Sequence, residues 1–410
     1  MSFRSGSVSY SRFRPTGPAP DPGSDALWDS FRACKISPEG AGQGGEPSIG
    51  WIGGRHILDL AFGWETNSFG GSVTAAMRRD VARVPADLRH AYRALAEEAY
   101  RATLPGEQRA RQLSRRERAE AKTVADRQGM DEIARGHHRT MRQVPILWDV
   151  PAAMVYAPSG SDEARSQLAR LFKESFGSIL GPVAAGVLAA DAQAGGRRAI
   201  DDLASATFGV TPVDPGQPTP RPAWCSGDHG DILGNEFLVW LWWHAESAES
   251  LELDGQSITV LPERVLDLAC AWDTTGTTAI RTEYPTRLRE TRRALASGKW
   301  PRRMGMTIDI GGDAYRATIR GESLAVAGLS LPRDEDSPPT EREAMEQRVD
   351  RILTFERTIR GLFEQFVRIR LSPDWRAAEK EIASWVHASP VHASTSGSVS
   401  ATADRSAQTA

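Results

Sequence analysis

Cysteine is scarce in this chain. Cys34, Cys225 and Cys270 are odd in number and widely spaced, which excludes a disulfide framework and a structural zinc site, so reduced thiols are expected. Long apolar runs are missing as well. Phe237–Trp243 is far shorter than the ~20 residues that span a bilayer, and the first residues lack a signal-peptide core, so a cytoplasmic protein without a membrane partner is expected. Nor does positive charge dominate. With 50 Lys and Arg against 53 Asp and Glu, the formal charge is −3, and any nucleic-acid role must rest on local clusters.

Catalytic signatures are equally thin. Ser297-Gly298-Lys299 resembles the end of a phosphate-binding loop, but Trp300 stands at the Ser/Thr position and the first glycine is missing. There is no Gly-x-Ser-x-Gly turn and no His-Glu-x-x-His, so neither catalytic residues nor a cofactor is expected. The best metal candidate is the loop bearing Cys225, Asp228, His229 and Asp231, which reads first as a polar surface loop after a Pro-rich tract.

What is present is an ordinary globular composition, 40% hydrophobic and 25% charged, around one intensely aromatic stretch. Gly234–His244 holds Trp240, Trp242 and Trp243, and reads as a buried strand or short helix before it reads as a stacking platform for bases. An opening strand is expected at Ser7–Arg14, then a Pro/Gly-rich linker at 15–25, a short helix at Ala26–Cys34 and a mobile Gly-rich segment at Pro38–Pro47. Leu88, Ala91, Tyr92, Leu95 and Ala99 mark a helix from Pro85, ended by Leu104-Pro105-Gly106. A hairpin at Pro145–Asp149 and Ala153–Ala157 precedes a helix capped at Ser159–Glu163 and closed by Gly177. Ile179–Ala194 reads as a buried helix or loop, and 207–231 as a Pro-rich surface excursion. Asp254-Gly255 signals a tight hairpin, Val265–Trp272 a further strand, and Met304–Ile310, Ala314–Arg320 and Leu324–Leu331 three more. A long helix, Thr340–Ile369, carries an apolar stripe that Glu356 interrupts, and 376–410 reads as a mostly disordered tail. The fold class is α+β, with antiparallel sheets and hairpins against amphipathic helices.

Two segments concentrate cations. Arg109–Arg142 holds ten Arg and Lys against five acids, and Arg281–Arg303 holds eight against Glu283 and Glu290. Ser114 and Glu117 match a capping box, and a helix starting there aligns Arg115, Arg118 and Lys122 on one face. Cations in a first turn oppose the helix dipole, so either an anionic partner or a merely solvated face accounts for them. In the second segment Leu288, Thr291 and Leu295 turn inward while Arg287, Arg289, Arg292 and Arg293 spread outward, and Lys299, Arg302 and Arg303 follow. With Arg111 and Arg116, these positions form the expected DNA-binding set.

Several short stretches together resemble the RdgC family of bacterial recombination-associated proteins. They are the strand Ser7–Arg14, Gly50-Trp51, the helix from Pro85 with Arg111–Arg118 behind it, Ile146–Asp149, Leu168–Gly177, Ala296–Lys299, and the helix ending at Phe366–Leu371. The likeness spans residues 1–375 at low identity, and the linker, the excursion and the tail look like additions. It implies an α+β subunit that pairs into a ring-like homodimer around double-stranded DNA, binds without sequence preference, lacks catalytic activity and restrains the strand-exchange recombinase. Arg111, Arg115, Arg118, Lys122, Lys299 and Arg303 fall where that family is basic. Two other readings stay open: a regulator that contacts the recombinase through the C-terminal helix or tail without touching DNA, and a metal-dependent nuclease using the Cys225–Asp231 loop.

Overall fold

The computed structural model describes residues 3–388 except 19, 38–46, 194–195, 202, 211–221, 226–228, 248–249, 273–275, 334–337 and 339. Most of the Gly-rich segment, the middle of the Pro-rich excursion and the chain beyond 388 therefore lie outside the described residues.

The chain is an antiparallel sheet with helices packed against it. In order come β1 (Val8–Pro15), α1 (Asp25–Ala33), β2 (Ser48–Ile52), α2 (Trp64–Asn67), β3 (Ser68–Phe69) and β4 (Ser72–Ala82). Next are α3 (Ala86–Thr103), α4 (Arg115–Ala134), β5 (Arg139–Asp149), β6 (Met154–Ala157), α5 (Asp162–Phe176), β7 (Leu180–Val183), α6 (Ala185–Asp191) and α7 (Arg197–Asp201). The second half adds α8 (Ile232–Glu246), β8 (Leu251–Leu253), β9 (Gln256–Cys270), β10 (Thr278–Thr282), α9 (Arg289–Ala296), β11 (Lys299–Ile310), β12 (Asp313–Arg320), β13 (Val326–Ser330), α10 (Glu341–Arg370) and α11 (Trp375–His387).

The strand path is β10-β9-β11-β12-β13-β1-β6-β5-β4-β2. β1 is its hub: Val8 and Tyr10 pair with β13, Ser11–Phe13 with β6, and Arg12–Pro15 with β7. Two apolar clusters flank this hub. The larger one gathers α8, α10 and α11 over the β9–β13 half, and the smaller one packs α1 and α5 on β2, β4, β5 and β6 through Phe31, Trp51, Trp148 and Phe172.

The tryptophan-rich stretch is helical and scaffolding. Trp240 and Trp242 are buried and Trp243 is half-buried, so the stacking platform is ruled out. Asn235 and Glu236, polar within that run, are buried too because each finds partners: Asn235 Nδ2 donates to Pro301 O at 2.9 Å, and Glu236 Oε2 accepts from Arg370 Nε at 2.6 Å. A methyl group on Gly234 would meet Gly321 O at 1.9 Å, so only glycine lets α8 lie this close to the β12–β13 turn.

Several expectations need correction. Val265–Trp272 is no separate strand; β9 runs unbroken from Gln256, bulging near Arg264 (φ 64°) where the register to β11 shifts. The excursion is anchored at both ends, since Phe208 packs on Trp300 and Trp375 and Cys225 is buried. Residues 376–387 belong to α11, one face of which Trp375, Ile382 and Val386 bury, and the rest of the expected tail beyond 388 lies outside the described residues.

Candidate nucleic-acid interface

β4 and β5 pair over eleven positions, Ser72↔Asp149 to Ala82↔Arg139, and the chain between them leaves the sheet as a two-helix arm. α3 leads outward and α4 returns, and at ~1.5 Å per residue the 18 residues of α3 reach about 27 Å. Small residues let the helices approach. Ala121, Ala125 and Gly129 bury their side of α4 and Tyr92 is the buried residue of α3, with a hydroxyl that donates to Glu132. At the arm's root Arg78 binds the buried Asp80 through two 2.8 Å bonds, and Arg139 adds two more to that carboxylate through Nε and Nη2.

The arm's far end is basic. The loop after α3 and the first turn of α4 bring Arg109, Arg111, Arg115, Arg116 and Arg118 together with Glu107 and Glu117. The capping box forms as expected, Glu117 N donating to Ser114 Oγ at 3.3 Å and Ser114 N to Glu117 Oε2 at 2.7 Å. Arg111 adds a bidentate bond at 2.8 and 2.5 Å, and these donors, Arg111 before the Ser114 amide, hold the Glu117 carboxyl down at about 2.

The other cations divide by spacing. Arg116 has Glu120 four residues on and pairs with it at 3.1 Å, and Lys122 has Asp126 at 3.8 Å. Arg115 and Arg118 have Ala119 and Lys122 at that spacing, and they remain exposed without a carboxylate among the described residues. Arg109, outside the expected set, is likewise exposed, and its side chain donates to Leu104 O with no carboxylate partner among the described residues. It sits in a loop, where no periodicity flags it. Arg127 defeats the spacing rule, staying exposed with no ion pair among the described residues despite Asp131 four residues on.

The second segment does not form the expected outward face. Arg292 is buried, stacked 3.7 Å from the Trp385 ring and bonded to Glu246 and Trp385 O, because α11 covers that side of α9. Arg302 pairs with Glu322, Arg303 with Asp267, and Lys299 Nζ donates to Thr278 Oγ1 at 2.8 Å. Arg287 lies on the Tyr284 ring at 4.4 Å; Arg289 and Arg293 are exposed. Among the described residues no hydrogen bond or ion pair joins the arm to the second segment, and along the sheet they are well separated. From β11 to β5 is five strand steps, about 24 Å at ~4.8 Å each.

Among the described residues no three His, Cys, Asp or Glu side chains gather as metal ligands. Asp228 lies outside them. Burial first, then the Asp231 charge, pushes the Cys225 thiol up to about 12, and Asp231 Oδ1 accepts from Gly186 N at 3.0 Å. No described helix is long and apolar enough to cross a membrane. No protein-family model and no curated protein matches the chain.

Proposed function

We propose that the chain binds double-stranded DNA without sequence preference, using the tip of the α3–α4 arm. The observation that carries this reading is the pair Arg115 and Arg118, exposed beside Arg109 and, among the described residues, free of carboxylates in the first turn of a helix whose own dipole disfavours them. Such cations contact phosphates, which positions a protein without reading bases. The resemblance to RdgC proteins supports the same reading, and restraint of a strand-exchange recombinase rests on that resemblance alone. With half of the expected cations tied to acids, three or four phosphates per subunit are neutralised in place of a dozen. The slope of log affinity against log salt is then about −3, at −0.9 per phosphate. Fluorescence anisotropy of a labelled duplex between 25 and about 200 mM salt tests it. Arg115→Glu/Arg118→Glu abolishes binding and Arg293→Glu leaves it nearly unchanged; the reverse ranking, or no binding at the lowest salt, rejects the arm.

A second reading is favoured by exposed apolar side chains on the arm. Leu95, Val124 and Met130 are 57%, 61% and 64% exposed, which suits protein contact. We assign these side chains to self-association into a homodimer. The long helix α10 is unsuited to the role of partner contact, since its apolar stripe from Met345 to Val367 is spent on the core.

A further inference from the structure

Where the arm joins the sheet, the end of β4, the start of α3 and the returning half of α4 enclose a groove of about 540 Å³, in the range of small-molecule sites. One wall carries Val81, Arg83, Val84 and Arg89, and the other is α4. Ala125, Gly129 and Ile133 recur every four residues and so share one side of that helix, with Met130 beside them. Close packing sets the floor. Val84 and Ala125 are buried in the arm's own apolar cluster with Tyr92, and a methyl group on Gly129 would come within 3.2 Å of Val84 Cγ2.

Above that floor apolar surface stays in contact with water. Met130 is exposed and Val81 and Ile133 are half-buried, three apolar side chains around one concavity, and the unbranched thioether of Met130 can adapt to the shape of a guest. The rim is cationic. Arg83 and Arg89 are exposed with no ion pair among the described residues, while Asp126, an acid of the lining, pairs with Lys122 at 3.8 Å. An apolar floor under two guanidiniums complements the two ends of an amphiphile. Its alkyl chain gains by leaving water, and its carboxylate gains by meeting planar donor forks that match two oxygens. Duplex DNA would offer phosphates to the rim but nothing to the floor.

We infer that this groove binds a single-chain amphiphilic carboxylate of the fatty-acid class, its alkyl chain against Val81, Met130 and Ile133 and its carboxylate on Arg83 and Arg89. The site includes neither Arg115 nor Arg118 and stands whether or not the arm's tip binds DNA. Isothermal titration of the full chain with octanoate, butyrate and octanamide, all below micelle-forming concentrations, tests it. Saturable one-to-one binding of octanoate is expected, with butyrate weaker for lack of chain and octanamide about tenfold weaker for lack of charge, the worth of one charge-assisted bond. Arg83→Gln/Arg89→Gln lowers octanoate to the level of octanamide and leaves octanamide unchanged, whereas Ile133→Asp weakens both. Melting curves show which variants are folded, and the exposed arginine pair keeps the test valid if Ile133→Asp unfolds. No heat with millimolar octanoate overturns the inference, as do binding at many sites and equal affinities for octanoate and octanamide. Met130 also belongs to the side chains assigned to self-association, so the titration is repeated at two chain concentrations. Equal affinities are expected; affinity that falls as the chain is concentrated makes a second copy the occupant and overturns the inference. Displacement of octanoate by duplex DNA in Arg115→Glu/Arg118→Glu gives the rim arginines to phosphate and overturns it as well.

Discussion

Glu356 interrupts an apolar stripe in the middle of a 30-residue helix, and its surroundings explain how a carboxyl group persists there. Arg12 meets it through two 2.6 Å bonds and the Tyr10 hydroxyl donates to it at 2.8 Å, all in the joint between the two halves of the sheet. Burial lowers the Arg12 value most, but the Glu356 charge, Tyr10 and the bond to Glu356 together outweigh it and the net direction is upward, so Arg12 stays charged. Breaking such a pair strands a charge, which costs about 3–5 kcal/mol, whereas replacing both partners by apolar groups is far milder. Urea denaturation of Glu356→Leu is therefore expected to show a loss of that size, and Arg12→Met/Glu356→Leu to recover most of it; equal losses in both would refute the pairing argument. Glu117 gives a pH-dependent counterpart on the surface. Its folded value of about 2 lies below the ordinary 4.5, so the stability it lends the start of α4 is complete above 4.5 and disappears as pH falls towards 2. Amide exchange at Glu117 and Arg118 should accelerate across that window, while exchange in α8 stays slow. Sequence flags such residues as anomalies but cannot name their partners: Arg12 and Glu356 are 344 positions apart, and the same blindness put the buried Arg292 on an outward face.

At the scale of elements the sequence is far more legible. Caps at Ser114, Ser161 and Thr340, the left-handed Gly177 stop and the Asp254-Gly255 turn all appear where local chemistry puts them, because each depends on residues three or four positions away. What local chemistry cannot supply is which faces find cover. α3 has the periodicity of a core-facing helix, yet among the described residues it buries only Tyr92 and leaves Leu95 in solvent, since its main neighbour is α4. An apolar surface of that kind invites a second copy. Val124→Glu/Met130→Glu is expected to shift the mass measured by light scattering from dimer to monomer without changing the far-ultraviolet spectrum; a wild-type monomer at high concentration removes that surface from the interface.

For the molecule as a whole, β1 decides the architecture. Eight residues hydrogen-bond three other strands, and both apolar clusters take side chains from it, Tyr10 on one side and Phe13 on the other. No periodicity in the sequence announces that role, because strand order depends on pairings across hundreds of residues. Coupling of this kind predicts one cooperative transition for the body. In a calorimetric scan Phe13→Ala, a truncation of the size that costs about 3–5 kcal/mol, lowers a single melting peak; two peaks, one of them unmoved, would show that the clusters unfold independently.

The arm stands apart from that cooperativity for a reason visible at its root. Chain entry and exit are tied together, Arg83 N donating to His138 O where the β4–β5 ladder ends. Everything between those two residues is in effect a cassette plugged into a hairpin. It can be lengthened, shortened or transplanted to another antiparallel pair without disturbing strand register. Natural variation and protein engineering alike can retune what the arm grips while the sheet beneath it stays as it is.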